Sequence, residues 1–170
     1  MSMVSPLSSG SWHDRRWPES EKGGLLRQLL QAGRFLRSTR DQLRFGELSR
    51  APLRLIRFHL EGDTVECDWV ARAPDPWDRY LSRRVQRRHA TLQTLADAIR
   101  VRALVFDAIP GAEGVYFRVY REVVDLAPEL IMTGFTQRND NLARDVHSLV
   151  MRAKVLGLQF RLEGDALGRI

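Results

Sequence analysis

The sequence is poor in the residues and runs that define several classes of protein. Cys67 is the only cysteine among 170 residues, which excludes an internal disulfide and a cysteine-rich zinc site. No apolar run approaches the roughly 18 residues that a membrane-spanning helix needs. The chain is 44% hydrophobic and 28% charged, a balance typical of a folded domain rather than of a disordered chain. We therefore expect one domain with a core of its own and no association with a membrane.

Lysine is also scarce, although the chain is basic. It has 27 Lys and Arg against 21 Asp and Glu, a formal charge of +6, and all but Lys22 and Lys154 of the 27 are arginines. A GC-rich genome produces such a bias without functional cause, whereas binding of phosphate selects arginine for its planar, two-pronged donor geometry. Composition leaves both explanations open.

Residues 1–24 contain Ser, Gly and Pro but no periodic apolar pattern, and their charges cancel. They lack the continuous apolar stretch of a secretory signal and are too acidic for a mitochondrial presequence. We expect a flexible tail on a cytoplasmic protein, followed by a single domain over residues 25–170.

The first ordered element is predicted to be a helix from about Leu25, ending either at Leu36 or at Arg44. Apolar side chains recur there at helical spacing, and polar ones lie opposite. The apolar stripe comprises Leu25, Leu29, Ala32, Leu36 and Leu43, and the opposite face comprises Arg27, Gln31, Arg34 and Arg37. Six arginines against two acids give residues 25–50 a net charge of +4.

A β-hairpin is predicted next, because apolar and polar residues alternate on both sides of Gly62-Asp63. A type II′ turn needs a positive φ at its first central residue, which glycine adopts readily. The register then pairs Leu60 with Val65, Phe58 with Cys67 and Ile56 with Trp69 on one face. The other face pairs His59 with Glu66 and Arg57 with Asp68, the latter being opposite charges across the ladder.

The remaining pattern predicts two more helices and three more strands. Asp75-Pro76 begins a helical stretch that reaches about Ala108, with a break near Ser82, itself a good N-cap. Further expected elements are strands near Val115–Arg121 and Leu130–Arg138, a helix capped within 139–141 and ended by Gly157, and a last strand over 158–162. The order α-ββ-α-ββ-α-β makes an α+β fold: one sheet of about five strands, built from two hairpin-helix units, with helices packed on it.

Residues suited to catalysis are few. The four histidines are isolated, none stands at helical spacing from another His or from Cys67, and no GxSxG or phosphate-loop motif is present. His59 lies across from Glu66 and could act as a base oriented by that carboxylate. Such a pair on neighbouring strands is more often an exposed surface pair without catalytic function. We expect no enzymatic activity, metal, cofactor or small-molecule substrate.

The densest charge feature is the group Arg79, Arg83, Arg84, Arg87 and Arg88, because no acid falls between Asp78 and Asp97. Cations near a helix N-terminus oppose the helix dipole, which favours a bound anion there. Arg88 falls inside the apolar stripe of its helix, so we expect the first turns to extend beyond the sheet. The alternative is an ordinary solvated helix start in an arginine-biased chain.

A second candidate surface is the row Tyr116, Arg118 and Tyr120, which shares one face of a strand if Val115, Phe117 and Val119 point inward. Phe135 on the next strand joins the row if Leu130 and Met132 are inward. Aromatic rings interleaved with arginine form stacking platforms for unpaired bases. The first helix or a second copy of the chain could instead cover this face.

Together these features predict a non-enzymatic intracellular module that binds an anionic partner, RNA or the backbone of single-stranded DNA. The Arg-rich helices, with Arg34 and Arg37 on the first, would hold the phosphates. The alternative is a protein-interaction or self-associating domain that uses the sheet face and the first helix. A continuous basic stripe favours the first hypothesis, and arginines paired with acids favour the second.

Overall fold

The computed structural model describes residues 53–139 and 145–170, together with Ala143 and, within 24–37, Gly24, Arg27, Leu30, Gln31, Gly33, Arg34, Phe35 and Arg37. These last eight are helical. The strands are β1 (Arg54–Glu61), β2 (Thr64–Val70), β3 (Gly114–Arg121), β4 (Glu129–Gln137), β5 (Leu158–Gln159), β6 (Leu162–Glu163) and β7 (Ala166–Leu167). A 3-10 helix (Pro76–Tyr80) precedes the long helix (Arg83–Ala108), and the short helix (Leu149–Val155) precedes β5. The predicted tail lies outside the described residues except for Gly24.

The five strands β1 to β5 form one mixed sheet in that spatial order. β2 and β3 are parallel, and the other neighbouring pairs are antiparallel. Parallel neighbours need a crossover connection, which the long helix provides. The predicted α+β class and the packing of helices on a five-stranded sheet are confirmed. The structure adds a separate two-stranded hairpin, β6–β7, which the sequence pattern did not predict.

The first hairpin has the predicted register over most of its length. Gly62 has φ +60°, as the predicted turn requires. Pairing is as expected for Leu60, His59, Phe58 and Arg57. The expected pair of Ile56 with Trp69 is wrong, because a bulge between Leu55 and Arg57 makes Leu55 the partner of Trp69. Ile56 is consequently 53% exposed. An extra residue in one strand reverses the faces beyond it, and the alternating pattern alone gave no sign of it.

The core lies between the sheet and the long helix. Val65, Cys67 and Trp69 on β2 and Val115, Phe117 and Val119 on β3 are fully buried with Leu95, Ala98, Val101, Leu104 and Val105 of the helix. The rings of Trp69 and Phe117 meet edge to face, with centroids 5.2 Å apart, a favoured arrangement for aromatic pairs. The core therefore occupies one face of the sheet.

The described N-terminal helical residues pack on that same face. Phe35 is fully buried and stacks on Phe58 of β1, with ring centroids 4.6 Å apart. Phe58 pairs with the core residue Cys67. The predicted apolar stripe omitted Phe35, and its own members lie outside the described residues.

Helix ends follow the local capping chemistry. Ser82 caps the long helix by accepting a hydrogen bond from the backbone N–H of Val85 (3.5 Å), and Asp75 accepts from the N–H of Trp77 (3.0 Å). The predicted break near Ser82 is confirmed, and the segment before it is a 3-10 helix. The short helix begins later than expected, because Ser148 provides its cap. Gly157 ends it with φ +84°, as predicted.

The predicted last strand over 158–162 is wrong as one continuous strand. Leu158 pairs with Gly134 of β4, whereas Leu162 pairs with Leu167 in the β6–β7 hairpin. Gly164, with φ +64°, makes the turn of that hairpin possible.

Among the helices in the described part of the chain, none has both the length and the apolar character of a membrane span.

Candidate nucleic-acid interface

The predicted arginine group lies at the start of the long helix and just before it. Arg79 is on the 3-10 helix, and Arg83, Arg84, Arg87 and Arg88 occupy the first two turns of the long helix; all five are exposed. Residues 83–90 are all described and none of them is buried. The first two turns of the long helix therefore contribute no buried residue to the core.

The first buried residue of the long helix is Thr91. Its hydroxyl donates to the carbonyl of Asp165 (3.0 Å) and accepts from the N–H of Leu167 (3.2 Å). The β6–β7 hairpin is thereby bonded to the helix at the point where burial begins. The exposed turns before Thr91 therefore extend from a part of the helix that is hydrogen-bonded to the hairpin.

One of these arginines is paired with a carboxylate. Arg84 Nε lies 2.6 Å from Asp165 Oδ2, and this hydrogen bond and the charge of Asp165 raise the pKa of Arg84. Arg83, Arg87 and Arg88 make no hydrogen bond or ion pair with any residue that the structure describes. The helix N-terminus adds its own partial positive charge. The helix start therefore carries three arginine charges that no described residue compensates.

Two aromatic side chains stand beside these arginines. Trp77 is 71% exposed and Tyr80 is 76% exposed. The Arg79 guanidinium lies 4.6 Å from the centre of the Tyr80 ring and donates to its hydroxyl at 2.5 Å. We call this surface the Arg–aromatic patch; it comprises Trp77, Arg79, Tyr80, Arg83, Arg84, Arg87 and Arg88.

Sequence reasoning did not assign Trp77 and Tyr80 to a site. The signal was present, because both fall between two helix caps, Asp75 and Ser82, in a segment too short to have an apolar stripe. Large aromatic side chains bury much area when they contribute to a core, and neither Trp77 nor Tyr80 does so here.

The predicted row on β3 lies on the opposite face of the sheet. Val115, Phe117 and Val119 are buried, so Tyr116, Arg118 and Tyr120 point outward, as expected. Phe135 lies directly across from Tyr116 in the register and is also exposed. The structure therefore brings these aromatic side chains onto one face.

Arg118 is bound by two carboxylates of the neighbouring strand β2. Its Nε donates to Asp68 Oδ1 (2.9 Å), and its Nη2 lies 3.5 Å from Glu66 Oε2. The Asp68 hydrogen bond in particular raises the pKa of Arg118. Arg57 lies across from Asp68 in the register, as predicted, but its ion pair runs diagonally to Glu66, at 2.6 Å. Two arginines and two acids make the centre of this face neutral.

The ten predicted site residues thus fall on three separate surfaces. The five arginines of residues 79–88 form one group. Arg34 and Arg37 are exposed on the N-terminal helical residues, where Arg37 Nε donates to the carbonyl of Gly33 (3.3 Å). Tyr116, Arg118 and Tyr120 lie on the far face of the sheet. The described part of the first helix does not cover that face, because Phe35 packs on the core side.

The structure contains a histidine–carboxylate contact that the sequence did not predict, since His89 Nδ1 lies 3.1 Å from Asp78 Oδ1. Among the described residues, no cluster of three or more His, Cys, Asp or Glu could hold a metal ion. Cys67 is fully buried, and burial raises the pKa of its thiol far above the usual range. His59 lies across from Glu66, but the carboxylate of Glu66 is bound by Arg57 and Arg118. The strongest chemical feature is therefore the Arg–aromatic patch.

Comparison with protein families, curated proteins and solved structures finds no match to this chain.

Proposed function

We propose that this protein is a non-enzymatic module that binds single-stranded RNA or DNA through the Arg–aromatic patch. The observation that carries the proposal is the exposure of Trp77 and Tyr80 on the 3-10 helix, directly before the helix start that carries Arg83, Arg87 and Arg88. These three arginines have no partner among the described residues. Phosphates need cations, and unpaired bases need flat apolar surfaces. The patch offers both within a short stretch of chain.

The two kinds of side chain have separate tasks in this proposal. The arginines neutralise backbone phosphates and release counterions, so binding weakens as salt rises. Stacking of a base on an aromatic ring contributes roughly 1–3 kcal/mol and tolerates any base. Stacking requires a base that is free of its duplex neighbours, which favours single strands over double-stranded nucleic acid.

The other predicted residues have lesser roles. Arg118 already donates to Asp68, so a phosphate would have to compete with a carboxylate for its guanidinium. Arg34 and Arg37 are exposed and remain predicted as additional phosphate contacts on the first helix. The main contact is assigned to the patch because three of its arginines, Arg83, Arg87 and Arg88, have no such competitor among the described residues.

Self-association through the outer face of the sheet is the second candidate function. It is favoured by the neutral centre around Arg118 and by the exposed pair Tyr116 and Phe135, because burying a neutral aromatic surface avoids the cost of desolvating unpaired charge. Sedimentation equilibrium distinguishes the two functions. A dimer that the Tyr116→Ser variant dissociates supports self-association, and a monomer at all concentrations contradicts it.

The nucleic-acid proposal is tested by fluorescence anisotropy with a labelled, unstructured 20-nucleotide RNA at low salt. Reversal of Arg83 and Arg88 together (R83E/R88E) should abolish binding. Arg100→Glu is the control, because Arg100 is exposed on the same helix, about 18 Å along the axis from Arg88. Its affinity should stay close to that of the unchanged protein. Absence of detectable binding by the unchanged protein would overturn the proposal.

A further inference from the structure

A cleft of about 900 Å³ opens beside the Arg–aromatic patch. One wall is the start of the long helix with Arg87, Ala90 and Thr91, and the facing wall is the connection between β3 and β4 with Val123, Val124 and Leu126. The volume is in the range of small-molecule sites, which are mostly apolar with a few polar groups. Most of its lining surface is apolar, so an apolar molecule would fit it.

The cleft owes its space to small side chains. Ala71, Ala73 and Ala90 line it, and Ala73 is exposed at the rim. Across from them Val124 and Leu126 expose most of their surface, next to Asp125, whose φ of +60° marks a tight turn. Exposed apolar side chains that face a cleft can be buried by a ligand within it, which gives the hydrophobic contribution to binding.

Most polar groups that line the cleft are already satisfied within the protein. Arg72 is bound to Asp97. Arg121 pairs with Glu129 (2.5 Å) and donates to the carbonyl of Leu167 (3.0 Å). Glu122 pairs with Arg54 at 3.2 Å. These groups therefore present little free charge to a ligand.

Arg87 differs from the other cations of this lining. It makes no hydrogen bond or ion pair with a residue that the structure describes, and it lies near the positive end of the long helix. Asp125 belongs to the β3–β4 connection, which forms the loop side of the lining. The two rims thus differ in charge, so a negatively charged group would lie on the helix side next to Arg87.

From these contacts we infer that the cleft binds a small molecule with an apolar body and one anionic group, a carboxylate or sulfonate, with the anionic group at Arg87. The apolar body would lie between Ala90 and the side chains of Val124 and Leu126. The cleft shares Arg87 with the Arg–aromatic patch, but Trp77, Tyr80, Arg83 and Arg88 are not part of its lining. Probe binding in the cleft therefore does not require that the patch bind nucleic acid.

The test uses 1-anilinonaphthalene-8-sulfonate, an apolar aromatic probe with one sulfonate, followed by displacement with decanoate or with 1-decanol. The unchanged protein should bind the probe saturably, and decanoate should displace it at about tenfold lower concentration than decanol. This tenfold difference in affinity corresponds to one charge-assisted hydrogen bond between the decanoate carboxylate and Arg87. The Arg87→Gln variant should bring the two competitors within about twofold of each other. The Arg100→Gln control should keep the difference.

Two further variants fill the cleft without changing its charge. Ala90→Phe and Ala73→Leu should each lower probe affinity about tenfold or more, since they occupy the space of the apolar body. Ala73 is exposed, so Ala73→Leu tests the site even if Ala90→Phe fails to fold. Three results would each overturn the inference: no saturable probe binding, equal displacement by decanoate and decanol, or unchanged probe affinity in a folded Ala73→Leu variant.

Discussion

Arg72 and Asp97 form a two-point ion pair inside the protein. Arg72 Nε lies 2.7 Å from Asp97 Oδ2, and Nη2 lies 2.5 Å from Oδ1, with the two side chains only 1% and 2% exposed. The pair joins the segment that follows β2 to the middle of the long helix. It therefore fixes the helix, and the projecting Arg–aromatic patch with it, against one end of the sheet.

Removal of one partner of this pair should destabilise the fold strongly. Asp97→Ala leaves the guanidinium of Arg72 buried without its carboxylate, and we expect a loss of about 3–5 kcal/mol in the free energy of unfolding. Urea denaturation measures it. Replacement of both partners by apolar residues (R72M/D97L) should recover most of the loss. A double variant as unstable as Asp97→Ala would contradict this account.

The close approach of β4 and β5 depends on Gly134. A Cβ at this position would lie 2.4 Å from the carbonyl oxygen of Gly157 and 2.8 Å from Leu158 Cα, and both are backbone atoms. Gly134→Ala should therefore lower the free energy of unfolding by about 1–3 kcal/mol, as overpacking does. Gly111→Ala is the matched control, because nothing lies within 4 Å of its added Cβ. Equal stability of the two variants would show that β5 does not pack on β4 in this way.

The aromatic side chains of the patch should contribute to affinity for single strands. Loss of one stacked base costs roughly 1–3 kcal/mol, so Trp77→Ala should weaken RNA binding by about five- to 150-fold. Trp77 is largely exposed, so its removal should leave the melting temperature almost unchanged. Tyr116→Ala, on the opposite face of the sheet, is the control. A larger loss of affinity in Tyr116→Ala than in Trp77→Ala would assign stacking to the outer face instead.

The sequence predicts those parts of the fold that local periodicity and capping determine. Alternation around Gly62 gives the first hairpin and its register, and Ser82 marks the start of the long helix. The bulge beside Ile56 was not predicted, because the alternation ends at two adjacent apolar residues, Leu55 and Ile56. The pairing of Leu55 with Trp69 decides which of the two faces the core. Phe35 was missed for a similar reason: its burial depends on contact with Phe58, which lies far away in the sequence.

The candidate site was predictable only in part. The run of arginines over 79–88 is visible as charge without acids, and the structure exposes all five. The partner of Arg84, Asp165, is 81 residues away, and the carboxylates around Arg118 depend on strand order. Sequence alone therefore could not separate arginines with ion-pair partners from those without them.

The most direct test of the central claim is the salt dependence of RNA binding. For single strands the logarithm of the association constant falls against the logarithm of salt concentration with a slope of about −0.7 for each phosphate neutralised. Replacement of Arg83, Arg87 and Arg88 by glutamine should reduce the steepness of this slope by about 2, whereas Arg100→Gln should leave it unchanged. An identical slope in the triple variant and the unchanged protein would show that these arginines do not contact the phosphates, and would contradict the account.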